Sequence, residues 1–213
     1  MLEIKNLYFL DVLKNINLKF EEGTVNLIVG ANGSGKTVLF KNIIGLLPKS
    51  DGEIIYNGVS KTNKNKYFKN TGALIEEPDI DLWNSGIDNL KYLASINGKP
   101  NNEYITNLMK KLNIYDDRKK LVRKYSLGMK KKLGIIQAIM EDQKLIILDE
   151  PTNGLDKESI NNFYDIIKEL KGENKIILIA SHIDSDINEI ADRVIKIDCG
   201  EVIEDRVINS VKA

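Results

Sequence analysis

Eight consecutive residues, Gly30-Ala31-Asn32-Gly33-Ser34-Gly35-Lys36-Thr37, carry the most specific chemistry in the chain. They match G-x-x-x-x-G-K-[ST], where glycines let the backbone turn tightly enough to aim several N–H groups at phosphate oxygens. Gly30, Asn32, Gly33, Ser34 and Gly35 are therefore candidates for phosphate contact. Lys36 can reach the β- and γ-phosphates of a nucleotide such as ATP, and the Thr37 hydroxyl can ligate Mg²⁺. An accidental match would be a glycine-rich turn. Against that, an apolar run, Thr24 to Val29, leads into the loop and a helical pattern, Val38 to Leu47, leads out of it. The helix presents its positive end to the same anion.

A second constellation is Leu145-Ile146-Ile147-Leu148-Asp149-Glu150, an apolar strand ending in two acids. The carboxyl ends of parallel strands are where α/β sheets bind ligands. There Asp149 would hold the metal ion and Glu150 would orient and deprotonate the attacking water. Alone, such a segment is a strand meeting solvent; the phosphate loop upstream provides a use for its acids. Between the two lies Tyr125-Ser126-Leu127-Gly128-Met129-Lys130-Lys131-Lys132, a turn and the start of a helix with Ser126 as its N-cap.

The order of these motifs, followed by Pro151-Thr152-Asn153-Gly154-Leu155-Asp156 and by Ser181-His182, resembles the ABC transporter ATPases. The resemblance covers essentially the whole chain and rests on five ordered motifs. It implies a single nucleotide-binding domain over residues 1–213 that hydrolyses ATP with Mg²⁺. It further implies a head-to-tail dimer in which Ser126 and Gly128 bind the γ-phosphate held by the other subunit. The partner would be a second copy or another ATPase subunit, and both would drive separate integral membrane subunits. The location implied is cytoplasmic, on the inner face of the cell membrane. His182, the only histidine, matches the family's switch histidine; by itself it would be a surface or satisfied core residue.

Two positions depart from the commonest family pattern. In Gly72-Ala73-Leu74-Ile75-Glu76-Glu77-Pro78, Glu76 stands where a glutamine usually contacts Mg²⁺. Glutamate keeps the oxygen ligand and adds charge; the other reading is a solvated loop acid. This substitution and the Tyr-Ser-Leu-Gly-Met signature resemble ATPases of bacterial peptide-antibiotic exporters and lantibiotic immunity transporters, which implies export. The segment Tyr8 to Leu13 is shorter than usual and offers Tyr8 or Phe9 to stack on adenine, with Tyr8 preferred; core packing is the alternative. Leu82-Trp83 lies in the region that faces a membrane partner in the family, so an exposed Trp83 would be an interface anchor and a buried one core.

These side chains need a scaffold. The pattern predicts short strands at residues 2–5, 16–20 and 25–29, and a small antiparallel element at Glu53 to Tyr56 between Asp51-Gly52 and Asn57-Gly58. Helical spacing follows at Asp88 to Ile96, Glu103 to Leu112 and Leu127 to Met140. Strand–helix alternation then resumes with Leu145 to Leu148, a helix from Ser159 to Leu170 capped by Gly172, Ile176 to Ala180, and a helix from Ile183 to Val194. That helix's apolar face would be Ile183, Ile187, Ile190, Ala191 and Val194. The expected architecture is an α/β core of P-loop type with a mostly parallel sheet, a small antiparallel portion, and a helical subdomain inserted over about residues 77–140.

Composition excludes other classes. Lys plus Arg number 31 and Asp plus Glu number 31, so no general attraction to nucleic acid is expected. The apolar runs at residues 145–148 and 176–180 fall far short of the ~20 residues a membrane helix needs. Met1 to Lys5 is mixed in charge, so no targeting segment is expected there. A single cysteine, Cys199, rules out an internal disulfide and suits a reducing compartment. Two rival readings stay open at this stage. A soluble ATPase of the same type could act on the ribosome or nucleic acid. A P-loop kinase would account for residues 30–37 but not for Ser126-Leu127-Gly128 or His182.

Overall fold

The computed structural model describes residues 1–48, 51–61, 67–98, 101–182 and 184–208. Its centre is a six-stranded sheet. Strands β3 (Thr24–Val29), β6 (Thr71–Leu74), β7 (Leu145–Asp149), β8 (Ile176–Ala180) and β9 (Arg193–Asp198) run parallel, and β10 (Glu201–Val207) pairs antiparallel with β9. Across the sheet the order is β10-β9-β3-β8-β7-β6. A second, antiparallel sheet of order β2-β1-β4-β5 contains β1 (Leu2–Phe9), β2 (Leu13–Phe20), β4 (Asp51–Tyr56) and β5 (Val59–Ser60). The Asn57-Gly58 turn between β4 and β5 has φ of 48° and 77°, the pair of positive values a tight hairpin needs.

Every residue of β7 and β8 is buried, as expected of parallel strands covered on both faces. Alternation along these strands sorts the core into two halves. Ile146, Leu148, Ile177 and Ile179 pack with Leu133, Phe163 and Ile167 on one side. Leu145, Ile147, Ile176 and Leu178 pack with Ile4, Phe20 and Phe40 on the other.

Helix α1 (Lys36–Ile44) follows β3 directly. It stops at Gly45, in the left-handed conformation at φ 91°, before reaching Pro48. Helices α2 (Gly86–Asn97), α3 (Asn102–Lys111) and α4 (Leu127–Ile139) make up the connection between β6 and β7, which are neighbours in the sheet. Helix α5 (Lys157–Gly172) starts on Asp156, whose side chain accepts from Ser159 N. Gly172 is its last helical residue rather than its cap; Asn174 supplies the left-handed turn instead.

Helix α6 (Asp184–Ile190) is shorter than the sequence pattern predicts. Ile183 lies outside the described residues, and Val194 sits in β9 opposite Leu27. An apolar residue every three or four positions continued across a turn into a buried strand, so periodicity alone ran the two elements together. Among the described residues no helix is long and apolar enough to cross a membrane.

Helix α4 lies hard against β6. A Cβ on Gly72 would stand 1.7 Å from the Ala138 carbonyl oxygen, and one on Gly134 would meet Leu74 and Pro78 at 2.8 Å. Backbone cannot yield as a flexible side chain can. Gly72→Ala should therefore destabilise the chain by about 3 kcal/mol, the upper end for overpacking, read as a lowered urea midpoint with an unchanged slope.

Candidate functional site

The sequence motifs converge at the carboxyl ends of β3, β7 and β8. Residues 30–37 connect β3 to α1, and their geometry shows why glycine is needed. Gly30 has φ 155°, and a Cβ there would lie 2.2 Å from the Ile197 carbonyl oxygen and 2.7 Å from Ser34 Oγ. Lys36, only 6% exposed, folds back and donates to the carbonyls of Gly30 at 2.7 Å and Ala31 at 3.1 Å. Ser34 Oγ is buried with no hydrogen-bond partner among the described residues.

Asp149 ends β7 one strand away, across β8. Thr37 Oγ1 donates to its Oδ2 at 2.6 Å, while its Oδ1 is buried and unpartnered among the described residues. Burial raises the Asp149 carboxyl above the usual carboxylate range, opposed by the Thr37 hydrogen bond. Glu150 takes a left-handed backbone, φ 48°, and its N–H donates to Ala180 O at 3.0 Å. That turn aims its carboxylate at His182, whose Nδ1 lies 2.8 Å from Glu150 Oε2.

Glu76 also has a positive φ, 60°, and pairs with Lys41 on α1 at 2.8 Å. It lines the same cleft of about 380 Å³ as Asn32, Gly33, Gly35, Lys36, Thr37, Asp149 and Glu150. Four further cleft residues were not picked out as site candidates by sequence reasoning: Val12, Val38, Glu77 and Lys131. Lys131 comes from α4, and its Nζ reaches Glu76 O at 3.4 Å. Burial lowers its ammonium's affinity for a proton, while Asp149, Glu150 and Glu77 pull the other way. In sequence it is one of three consecutive lysines; only the packing of α4 on β6 brings it here.

Other expected site residues lie outside this cleft. Tyr8 sits on β1 opposite Asp51, 40% exposed, and it is Val12 of the β1–β2 turn that reaches the cleft. Ser126 caps α4, accepting from Met129 N at 3.2 Å, and is exposed. Gly128 lies against Gly154: a Cβ there would stand 2.9 Å from the Gly154 carbonyl oxygen. Lys132 pairs with Asp156 at 3.3 Å, joining the start of α4 to the loop after Glu150. Trp83 is 71% exposed beneath the Arg123 guanidinium, 4.8 Å from its ring centre.

A larger cleft, about 880 Å³, opens at the opposite end of the strands beside Thr71, Gln143 and Lys175. Lys175 there is paired with Asp142 and Glu173, and the cleft holds none of the motif residues.

The site's acids and hydroxyls suit a divalent cation shared with phosphate. Asp149 offers one orphaned oxygen beside the Thr37 hydroxyl, with Glu76 in the same cleft. Among the described residues no three His, Cys, Asp or Glu side chains cluster closely enough to hold a metal on their own. Mg²⁺ characteristically binds through one or two protein oxygens plus substrate phosphates.

The model of the ABC transporter family matches residues 13–153. YdbJ, an ABC transporter ATP-binding protein of Bacillus subtilis, is 38% identical over 90% of this chain and 63% of its own length. The lantibiotic transport ATP-binding protein SrtF of Streptococcus pyogenes is 35% identical over 92% of this chain and 82% of its own. The chain thus spans less than two thirds of the first relative's length. Among solved structures, an ATP-binding subunit of an ABC transporter superposes with TM-score 0.88 at 26% identity, over 98% of this chain and 90% of that one. A dimeric ATP-binding cassette bound to ADP and phosphate shares the fold at TM-score 0.86 and 19% identity, over 99% of this chain and 100% of that one.

Because the Asp149 carboxyl is raised, the folded chain keeps its proton at a pH where the unfolded chain has lost it. The stability this group contributes is present at acid pH and is lost as pH rises past the ordinary carboxylate range. Asp149→Asn should therefore raise the melting temperature of the nucleotide-free chain at pH 7, with the gain shrinking toward pH 4. Equal melting at pH 7 would show that the Thr37 bond offsets the burial. By its motifs, its fold and these relatives, the chain belongs to the ABC transporter family.

Proposed function

We propose that this chain binds Mg²⁺ and ATP in the cleft above β3 and β7, hydrolyses the nucleotide, and uses the cycle to drive separate membrane subunits. The observation that carries the reading is the half-satisfied Asp149. One of its oxygens is tied to the phosphate loop through Thr37, the other is orphaned in a buried position, and the adjoining Glu150 is already paired with His182.

Thr37, Asp149 and Glu76 would hold the metal, which when bound neutralises charge on the β- and γ-phosphate oxygens. Lys36 would exchange the carbonyls of Gly30 and Ala31 for phosphate oxygens, joined by the N–H groups of residues 30–37. Glu150 takes the proton of the attacking water, and His182 holds its carboxylate in place. Water adds to the γ-phosphorus as the bond to the β-phosphate oxygen breaks, giving ADP and phosphate. Adenine would rest on the β1–β2 turn, against Val12 and beside Tyr8.

Ser126 and Gly128 do not line their own chain's cleft, which supports their service to a second subunit's nucleotide. An exposed helix N-terminus with a hydroxyl and a glycine is a good γ-phosphate site. Two chains, alike or different, would close head to tail around two nucleotides. The helical segment 77–140 acts as a subdomain carrying Ser126 toward the partner, and exposed Trp83 anchors a membrane subunit on the cytoplasmic face. The lantibiotic relative supports export as the direction.

The test is ATP-driven dimerisation, measured by light scattering alongside phosphate release. Glu150→Gln should slow hydrolysis by about 10²–10⁴ and accumulate an ATP-bound dimer. Ser126→Arg in that background should abolish the dimer while ATP still binds the monomer. Turnover close to wild type in Glu150→Gln would place the base elsewhere. Loss of monomer binding in Ser126→Arg would put Ser126 in its own cleft.

A further inference from the structure

We infer that Asp186 is a positioning residue for hydrolysis, clamping the loop after β7 to the loop after β8 so that Glu150 and His182 stay in contact. The inference rests on the reading of the cleft as an ATPase site.

Asp186 lies on α6 and is completely buried. Its carboxylate accepts three hydroxyls from three elements. Thr152 Oγ1 donates to Oδ2 at 3.1 Å, Ser181 Oγ donates to the same oxygen at 2.5 Å, and Tyr164 OH on α5 donates to Oδ1 at 2.5 Å. A carboxylate removed from water is tolerated only when donors meet its lone pairs. Here three hydroxyls do so.

The chain positions of two donors give the cluster its meaning. Thr152 stands two residues after Glu150, and Ser181 stands directly before His182. Both loops therefore converge on one oxygen. If either moved, its hydroxyl would give up a charge-assisted bond to a buried carboxylate, a bond about twice as strong as a neutral one. The loops consequently shift together or not at all. Glu150 needs such a clamp: its left-handed φ of 48° is uncommon for a residue with a side chain, and surrounding structure must hold it. A further bond, Glu150 N to Ala180 O at 3.0 Å, ties the same two strand ends.

His182 is the chain's only histidine, so its imidazole gives one set of ring signals in a proton NMR spectrum. In the wild-type chain, Glu150→Gln should move those signals. In an Asp186→Asn background the same change should move them less than about half as far, the mark of two coupled sites. A full shift in both backgrounds would overturn the inference, as would no shift in the wild type. A purely structural Asp186 would lower the melting temperature and leave this difference intact. The readout needs no turnover, so it is separate from failure of the ATPase reading. In the hydrolysing chain, folded Asp186→Asn should lose about tenfold or more in kcat with KM for ATP within about twofold; unchanged kcat would also overturn it. Should Asp186→Asn not fold, Thr152→Val and Ser181→Ala each remove one donor and take the same NMR comparison.

Discussion

The hydroxyl of Thr37 meets the carboxylate of Asp149 at 2.6 Å across 112 residues of sequence, and much of the site's geometry depends on that contact. Thr37 is positioned by α1, which leaves the phosphate loop at the end of β3. Asp149 is positioned by β7, whose body is entirely buried. The two strands are not neighbours; β8 lies between them and brings His182 to the same edge. Three parallel strands in register thus deliver a phosphate loop, two acids and an imidazole to one line. Parallel pairing makes this possible, because carboxyl ends then share one side of the sheet.

Charges of both signs meet in the cleft. Glu76, Glu77, Asp149 and Glu150 line it against Lys36 and Lys131. Lys36 rests on backbone carbonyls, Glu76 pairs with Lys41, and Asp149 keeps one oxygen without a partner among the described residues. Burial makes such arrangements costly and responsive. Lys131 reaches the cleft because Gly72 and Gly134 let α4 approach β6 closely enough for a lysine on α4 to span the gap.

The helical connection between β6 and β7 faces two ways. Its end, α4, packs into the core through Leu133 and Ile136, while the start of the same helix turns Ser126 and Leu127 outward. The Lys132–Asp156 pair and the contact of Gly128 with Gly154 lock that start to the loop following Glu150. The loop following Glu150 and the exposed start of α4 are thereby held to one another.

Much of this was legible in the linear sequence, for identifiable reasons. Residues 30–37 demand glycines and a lysine at set offsets whatever surrounds them, so the loop announces itself. The runs at 145–149 and 176–180 are apolar on both faces, which marks buried parallel strands. Glu76 could be placed near the loop of residues 30–37 because it follows β6 in a fixed order of motifs, and it lines the same cleft. Boundaries were less legible: α6 and β9 merged into one apparent helix, since their apolar residues happened to keep helical spacing. Side-chain destinations that depend on packing were invisible. Val12 is a turn residue in sequence, Lys131 one of three consecutive lysines, and Asp186 an acid in a polar stretch. The local sequence determined the phosphate loop, the acidic strand end and the class of fold, because those signals are carried by neighbours along the chain. Tertiary structure alone decided that Val12 and Lys131 face the cleft and that Asp186 joins two loops, because each depends on which distant surface lies opposite, and pairwise contacts across a sheet leave no mark in local residue order.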